Sequence, residues 1–304
     1  MIILNSLFPI FILLFFGRLL KAYGLTDPQF LRSADRLIYY FFFPLMLFWK
    51  IGSTSFAGGI NWAFLLACIV TLLAMFALST AAIFLFSLHP FQAGSFSQSC
   101  YRFNTYIGMA VILNSLGSEG VKYFGLVIGF AIPLINVFAV SVLIWFSGEE
   151  MDAGKRFRLT SRALISNPLI LGCLAGICYA KFIGWFPVFI NNALSLTSMV
   201  ALPLALISIG GSLTFRGVKD NLGVALLAAL MKLVMLPVIG FGFLTLFGVG
   251  GMPLKVGLLF FGQPASTAIY VLSSQLNSDT ELASAAIVLS TVLSFFSLSV
   301  ILLF

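Results

Sequence analysis

Amide and charged side chains are rare inside the apolar stretches of this sequence, so the few that occur there are the first candidates for chemistry. Two clusters stand out: Arg102-Phe103-Asn104-Thr105-Tyr106-Ile107-Gly108 and Gly262-Gln263-Pro264-Ala265-Ser266-Thr267. Both are composed of residues prone to interrupt a helix. An interrupted helix leaves N–H groups free at one new end and carbonyls at the other. The N–H end carries roughly half a positive charge and attracts anions. Amide and hydroxyl side chains beside it can replace the water around a small ligand. Asn104, Thr105, Gly108, Gln263, Pro264, Ala265, Ser266 and Thr267 are therefore candidate substrate-binding residues. The competing reading is that Pro264 merely kinks a helix and the polar groups satisfy the freed backbone.

Two further residues join the set. Lys232 lies eleven residues into the run that starts near residue 221, within LAALMKLVMLP. At about 1.5 Å per residue it sits roughly 16 Å deep. A charge at that depth faces a cavity or a partner, and none of the nine acidic residues falls in a helix centre to pair with it. Lys232 attracts an anionic substrate, binds the negative C-terminal end of a half-helix, or snorkels toward the interface. Asn136 follows Pro133 in AIPLINVF and could line the same cavity. The missing intramembrane carboxylate argues against carboxylate-based proton coupling. No cofactor is expected. Sodium could still be held by carbonyls and by Asn, Gln, Ser or Thr.

These residues need a scaffold, and composition says which kind. Apolar residues make up 61% of the chain, charged residues 8%, and mean hydropathy is +1.13. Too few ionisable groups are present to cover a water-facing surface, so lipid must contact most of the outside. Spans of roughly 20 residues are needed to cross a bilayer core. Ten segments qualify: 2–20, 36–56, 61–88, 98–116, 121–146, 163–183, 187–213, 221–248, 253–276 and 281–303. The fourth and ninth have the weakest hydropathy and carry the two polar clusters, as expected of segments buried in protein. The linker from Ser147 to Arg162 divides the chain into residues 1–146 and 163–304, with 147–162 as a loop.

Basic residues set the expected orientation. Arg18, Lys21, Arg32, Arg36, Arg102, Lys155, Arg156, Arg158, Arg162, Arg216 and Lys219 fall on one face, against Lys50, Lys122, Lys181 and Lys255 on the other. The first face reads as cytoplasmic, with both termini outside. The N-terminal run has its charges after it and no cleavage site, so it reads as a retained helix.

An offset of 159 residues superimposes Pro9 on Pro168, Gly17 on Gly176, Pro44 on Pro203, Gly52 on Gly211, Ser53 on Ser212 and Phe56 on Phe215. The same offset brings Asn104 onto Gln263. Proline and glycine matches at one offset indicate an internal repeat. Because each copy holds five spans, the second enters the membrane from the other side, and inverted repeats of this kind are a transporter signature with the site at the midplane.

Other chemistry finds no footing. Cys68, Cys100, Cys173 and Cys178 have no histidine partners and read as packing residues. His89 reads as a loop residue. There is no P-loop, zinc motif or nucleophile elbow, so an enzyme is excluded. The basic residues are dispersed, which argues against nucleic acid.

The opening FPIFILLFFGRLLKAYGL, then ADRLIYYFFFPLMLF, RFNTYIGMAV, IPLINV, MKLVMLP and the closing GQPAS…ELASAAIVLSTVLS resemble, in order and spacing, the auxin efflux carrier family in its short bacterial form. The resemblance implies an all-α membrane protein of ten helices in two inverted five-helix repeats, of the general fold of bile-acid symporters. It also implies a crossover of helices 4 and 9, and a transport domain moving against a scaffold of helices 1, 2, 6 and 7. It implies transport of a small organic anion such as a mono- or dicarboxylate, in the inner membrane of a bacterium. The alternatives are a sodium-coupled symporter of the bile-acid type and, in another class, an anion channel or membrane sensor. The expected partners are the substrate and the bilayer, with a homodimer compatible with both.

Overall fold

The computed structural model describes residues 2–53, 61–146, 167–214 and 218–303. The linker at 147–162, Phe56 and Phe215 of the repeat, and Lys155, Arg156, Arg158, Arg162 and Arg216 of the charge count lie outside these residues. Among the described residues every regular element is a helix. In order, the helices are α1 (Ile2–Ala22), α2 (Pro28–Leu37), α3 (Phe43–Gly52), α4 (Trp62–Leu85), α5 (Pro90–Tyr101), α6 (Thr105–Phe146), α7 (Pro168–Phe182), α8 (Val188–Ser212), α9 (Leu222–Leu230), α10 (Leu236–Leu246), α11 (Gly251–Phe261), α12 (Ala268–Gln275) and α13 (Thr280–Ile301).

Among the described residues six helices are long and apolar enough to cross a membrane. The remaining expected spans are short or interrupted. α7 has 15 residues, and the ninth expected span is divided into α11 and α12, of 11 and 8 residues. Large apolar side chains such as Phe8, Phe15, Trp145, Phe182 and Phe241 are exposed on many helices. On a water-soluble protein such a surface would aggregate, whereas here it is the surface that lipid covers.

Local sequence explains where the helices start and bend. The second span begins at Pro28, eight residues before the expected start, because Asp27 accepts a hydrogen bond from the Phe30 N–H at 2.6 Å and proline occupies the first turn. α2 and α3 are joined by a wide π turn, Ile38–Phe42, and α9 and α10 by another, Met231–Met235. Each lies just ahead of a proline, Pro44 or Pro237. Proline removes an N–H and crowds the carbonyl four residues back, and widening the preceding turn relieves that crowding. α6 joins the second half of the expected fourth span to the fifth. Its only non-helical residue is Gly117, at φ 64°, a conformation that suits glycine.

The fourth span also starts eight residues early, at Pro90. His89, expected only as a loop residue, caps it: its Nδ1 accepts from the Phe91 N–H at 3.2 Å. The sequence PFQAGSFSQSCY looks too polar for a span, yet every residue from Ala93 to Tyr101 is buried. Its hydroxyls are satisfied inside the protein. Ser95 Oγ lies 2.8 Å from Ser273 Oγ and donates to the Asp279 carbonyl at 2.7 Å, and Ser97 meets Ser79 at 3.0 Å. α5 is thus wrapped by other helices, where hydroxyl bonds between helices hold it.

Packing between the two halves is reciprocal. A Cβ on Gly17 of α1 would lie 2.0 Å from the Ile207 carbonyl oxygen on α8, and one on Gly176 of α7 would lie 3.0 Å from that of Phe48 on α3. Phe48 and Ile207 are themselves related by the offset of 159 residues. The first helix of each copy therefore lies against the second helix of the other, at a distance only glycine permits.

Candidate functional site

The break between α5 and α6 covers residues 102–104, and that between α11 and α12 covers residues 262–267. The two breaks touch: the Asn104 N–H donates to the Pro264 carbonyl at 3.0 Å. The pair Asn104 and Gln263, 159 residues apart in sequence, is thus brought together in space. Both are buried, at 2% and 0% exposure.

Each break has its own local cause. The first contains no proline. It forms because Asn104 turns its side chain back to cap α6: Oδ1 accepts from the N–H groups of Tyr106 and Ile107, both at 3.2 Å. In the second, Pro264 lacks the N–H that a continuous helix needs. The freed groups around it are caught one by one. The Ala265 N–H donates to Ser290 Oγ at 3.0 Å, and Ser297 Oγ donates to the Gly262 carbonyl at 3.0 Å. The Ala268 N–H donates to Ser266 Oγ at 3.3 Å. α6 and α12 start at the breaks and α5 and α11 end there, so both positive and negative helix ends lie at the crossing.

Lys232 is fully buried in the π turn of the eighth expected span, and its Nζ donates to the Phe261 carbonyl at 2.9 Å. Phe261 is the last residue of α11. Of the roles open from sequence, this is the geometry of the second, a cation binding the negative end of a half-helix.

After these bonds are assigned, three side-chain atoms in the crossing remain without a protein partner: Asn104 Nδ2, Gln263 Nε2 and Gln263 Oε1. Buried amides are hydrogen-bonded in the great majority of cases. Here two donors and an acceptor lie buried and unpaired at the two breaks. Gly108 makes room for them. A Cβ at that position would lie 2.2 Å from Cδ, Nε2 and Oε1 of Gln263.

Asn136 is buried on α6 and touches the first break through Arg102, whose guanidinium donates to Asn136 Oδ1 at 3.1 Å. Pro133 does not interrupt α6. The placement of Arg102 corrects the charge count. Sequence assigned it to the cytoplasmic surface, but it is 8% exposed and sits in the break. Thr105 and Thr267 flank the starts of α6 and α12 as their sequence positions require.

A cavity of about 300 Å³ begins one turn along α6 from the breaks. It is bounded by α1, α3, α6 and α8, and it carries polar groups at Lys50, Asn114 and Ser198. The Ser198 hydroxyl is buried without a partner. Lys50 lies over the ring of Trp49, 4.3 Å from its centroid, and Trp49 is fixed by a 2.8 Å hydrogen bond to Asn191. Sequence reading passed over Lys50 and Ser198 as functional residues. Lys50 was only a surface charge, and Ser198 looks like any serine of an apolar helix. Among the described residues no group of acidic, cysteine or histidine side chains is arranged to hold a metal ion.

Comparison with known proteins agrees with this architecture. The chain aligns with an uncharacterized transporter of Methanocaldococcus jannaschii at 24% identity, over 97% of this chain and 96% of that one. It also aligns with an uncharacterized transporter of Methanothermobacter thermautotrophicus at 27% identity, over 49% of each. The profile of the family described as "Membrane transport protein" matches residues 2–302. A buried meeting of two helix breaks, a lipid-covered exterior and a match over nearly the whole length lead to one assignment: the chain is an integral membrane transporter, not an enzyme, and belongs to the membrane transport protein family, the auxin efflux carrier family its sequence resembles.

Proposed function

We propose that the protein is a secondary carrier for a small organic anion, a mono- or dicarboxylate, held where the two helix breaks cross. The observation that carries this reading is the set of unpartnered amide atoms on Asn104 and Gln263, buried at the two breaks where α6 and α12 start. Two amide N–H donors and two positive helix ends suit a carboxylate. Gly108 leaves the space, and Pro264, Ala265, Ser266 and Thr267 supply the second break. Lys232 binds the carbonyl end of α11 and has a structural role beside the site.

In this reading the chain crosses the bilayer ten times, as two inverted repeats. The second crossing is α2 and α3 with their π turn, the fourth is α5 with the start of α6, and the ninth is α11 with α12. The reciprocal packing of Gly17 and Gly176 supports such a repeat, because it relates the two copies by the same offset as the crossing residues. Both termini lie outside the inner membrane. The cavity at Lys50 then opens on the outer side of the crossing, and α1, α3, α7 and α8 form the scaffold. Movement of the crossing against that scaffold closes this cavity and opens one on the cytoplasmic side, which is alternating access.

A thermal-shift screen of the purified protein against small carboxylates, amino acids and sodium tests the reading. Stabilisation by carboxylates without sodium is the expected result. Stabilisation only when sodium is present would replace it with a sodium-coupled symporter, and a protein indifferent to every carboxylate would not be an organic-anion carrier.

A further inference from the structure

We propose that Arg102 is the charge-reading residue of the site, the guanidinium that receives the carboxylate of the transported anion. The proposal rests on the carrier reading above and names the residue that would give it its preference for anions.

Four observations carry it. First, Arg102 is buried, with 8% of its surface exposed, at the start of a helix break, where it follows the last residue of α5. Second, among the described residues both of its hydrogen-bond partners are neutral amides: Gln98 Oε1 at 3.4 Å and Asn136 Oδ1 at 3.1 Å. No carboxylate lies within ion-pairing distance of it among those residues. Third, one of the two amides is itself anchored. Gln98 Nε2 donates to the Gly94 carbonyl at 3.2 Å, so its oxygen is turned toward Arg102. Fourth, Arg102 precedes Asn104 by two residues, so its Cα lies within about 7 Å of that of Asn104.

The arrangement orients a cation without neutralising it. A buried guanidinium is ordinarily paired with a carboxylate, because leaving it unpaired costs several kcal/mol. An intramembrane charge without such a pair marks a substrate path. Lys232 provides the contrast within the same molecule. Its amino group is occupied by the Phe261 carbonyl at 2.9 Å, which is a structural bond. Arg102 instead has a planar fork of donors, only part of which the two amides engage, and that fork matches a carboxylate in bidentate fashion. A substrate carboxylate would supply the missing negative charge. Its remaining oxygens or second carboxylate would reach the Asn104 and Gln263 amides.

The test compares malonate, succinate and acetate with the neutral diamide malonamide. Calorimetric binding is measured on the purified full-length protein in a non-ionic detergent. The wild type is expected to bind at least one carboxylate and not malonamide. Arg102→Gln should raise the Kd for that carboxylate roughly thirtyfold or more, with the ligand-free melting temperature not lowered, because an unneutralised buried charge is removed. Arg102→Lys, which keeps the charge but loses the fork, should fall between. An Arg102→Gln variant that binds the carboxylate as the wild type does would overturn the assignment while leaving the carrier reading in place. Equal binding of malonamide and malonate by the wild type would overturn it too, because charge would then not be read. Should Arg102→Gln not fold, unchanged carboxylate affinity in Arg102→Lys rejects the bidentate role. A wild type that binds no carboxylate at all would remove the carrier reading, and this proposal with it.

Discussion

Replacing Gln263 by leucine separates a binding role for the crossing from a structural one. In the structure the Gln263 amide is fully buried, and neither of its polar atoms has a protein partner. Each unsatisfied buried polar group costs about 1–3 kcal/mol. Leucine is one atom shorter and buries no polar group, and it fills most of the same space beside Gly108. Gln263→Leu should therefore stabilise the empty protein by about 1–3 kcal/mol. Unfolding entropy of about 2.1 cal/mol/K per residue amounts to roughly 0.6 kcal/mol/K for a chain of 304 residues. The expected rise in Tm is therefore about 2–5 °C, readable from tryptophan fluorescence during heating in detergent. The same substitution should abolish carboxylate uptake into proteoliposomes, because the ligand loses a donor and faces a methyl group. Stability gained and function lost together identify a group kept for its ligand. A variant that melts earlier while transporting normally would show that Gln263 is a structural residue and that the reasoning is wrong.

Four other substitutions follow from the geometry. Gly108→Ala would press a methyl group onto the end of the Gln263 side chain, which is flexible. The protein should fold, with a loss near 1 kcal/mol, but uptake should drop at least tenfold; an unimpaired rate would mean that Gln263 need not hold its place. Gly210→Ala would place a Cβ 1.9 Å from the Leu14 carbonyl oxygen, backbone against backbone. We expect about 3 kcal/mol or more of destabilisation and little folded protein by size-exclusion chromatography, while Gly242→Ala, with open space around it, should be neutral. Lys232→Met should leave the Phe261 carbonyl without its donor and lower Tm by about 2–5 °C, from the loss of about 1.5–3 kcal/mol. Carboxylate affinity should stay within about twofold; a selective loss of affinity at unchanged Tm would instead make Lys232 a ligand-binding group.

Much of this arrangement was legible in the sequence because lipid imposes strict rules. An apolar run of about 20 residues has few alternatives to a membrane helix, and a polar cluster inside one must be buried in protein. That logic pointed to Asn104 and Gln263, which the structure places side by side. It failed where polar residues are satisfied by distant partners. The segment PFQAGSFSQSCY was read mostly as a loop, since nothing local shows that Ser95 will bond to Ser273 and to the Asp279 carbonyl. Arg102 was misplaced for a related reason. Counting charges assigns any arginine at the edge of an apolar run to the surface, whereas the edge here was the middle of a span whose first half had gone unrecognised. The break at Asn104 has no proline to announce it; its cause is a side-chain cap that only the fold reveals. The π turns before Pro44 and Pro237 were equally silent, because a proline says that a helix must adjust but not how. The choice among roles for Lys232 needed a partner 29 residues away, the Phe261 carbonyl.

The claim on which the rest depends is that the crossing of the two breaks receives the transported anion. Asn104→Asp tests it most directly. The aspartate oxygen can still accept from Tyr106 and Ile107, so the α6 cap and the fold are retained, but the unpartnered donor becomes a negatively charged acceptor. Counterflow of a radiolabelled carboxylate in proteoliposomes should be saturable in the wild type and absent in Asn104→Asp at equal insertion and equal Tm. Wild-type counterflow in the Asn104→Asp variant would contradict the account.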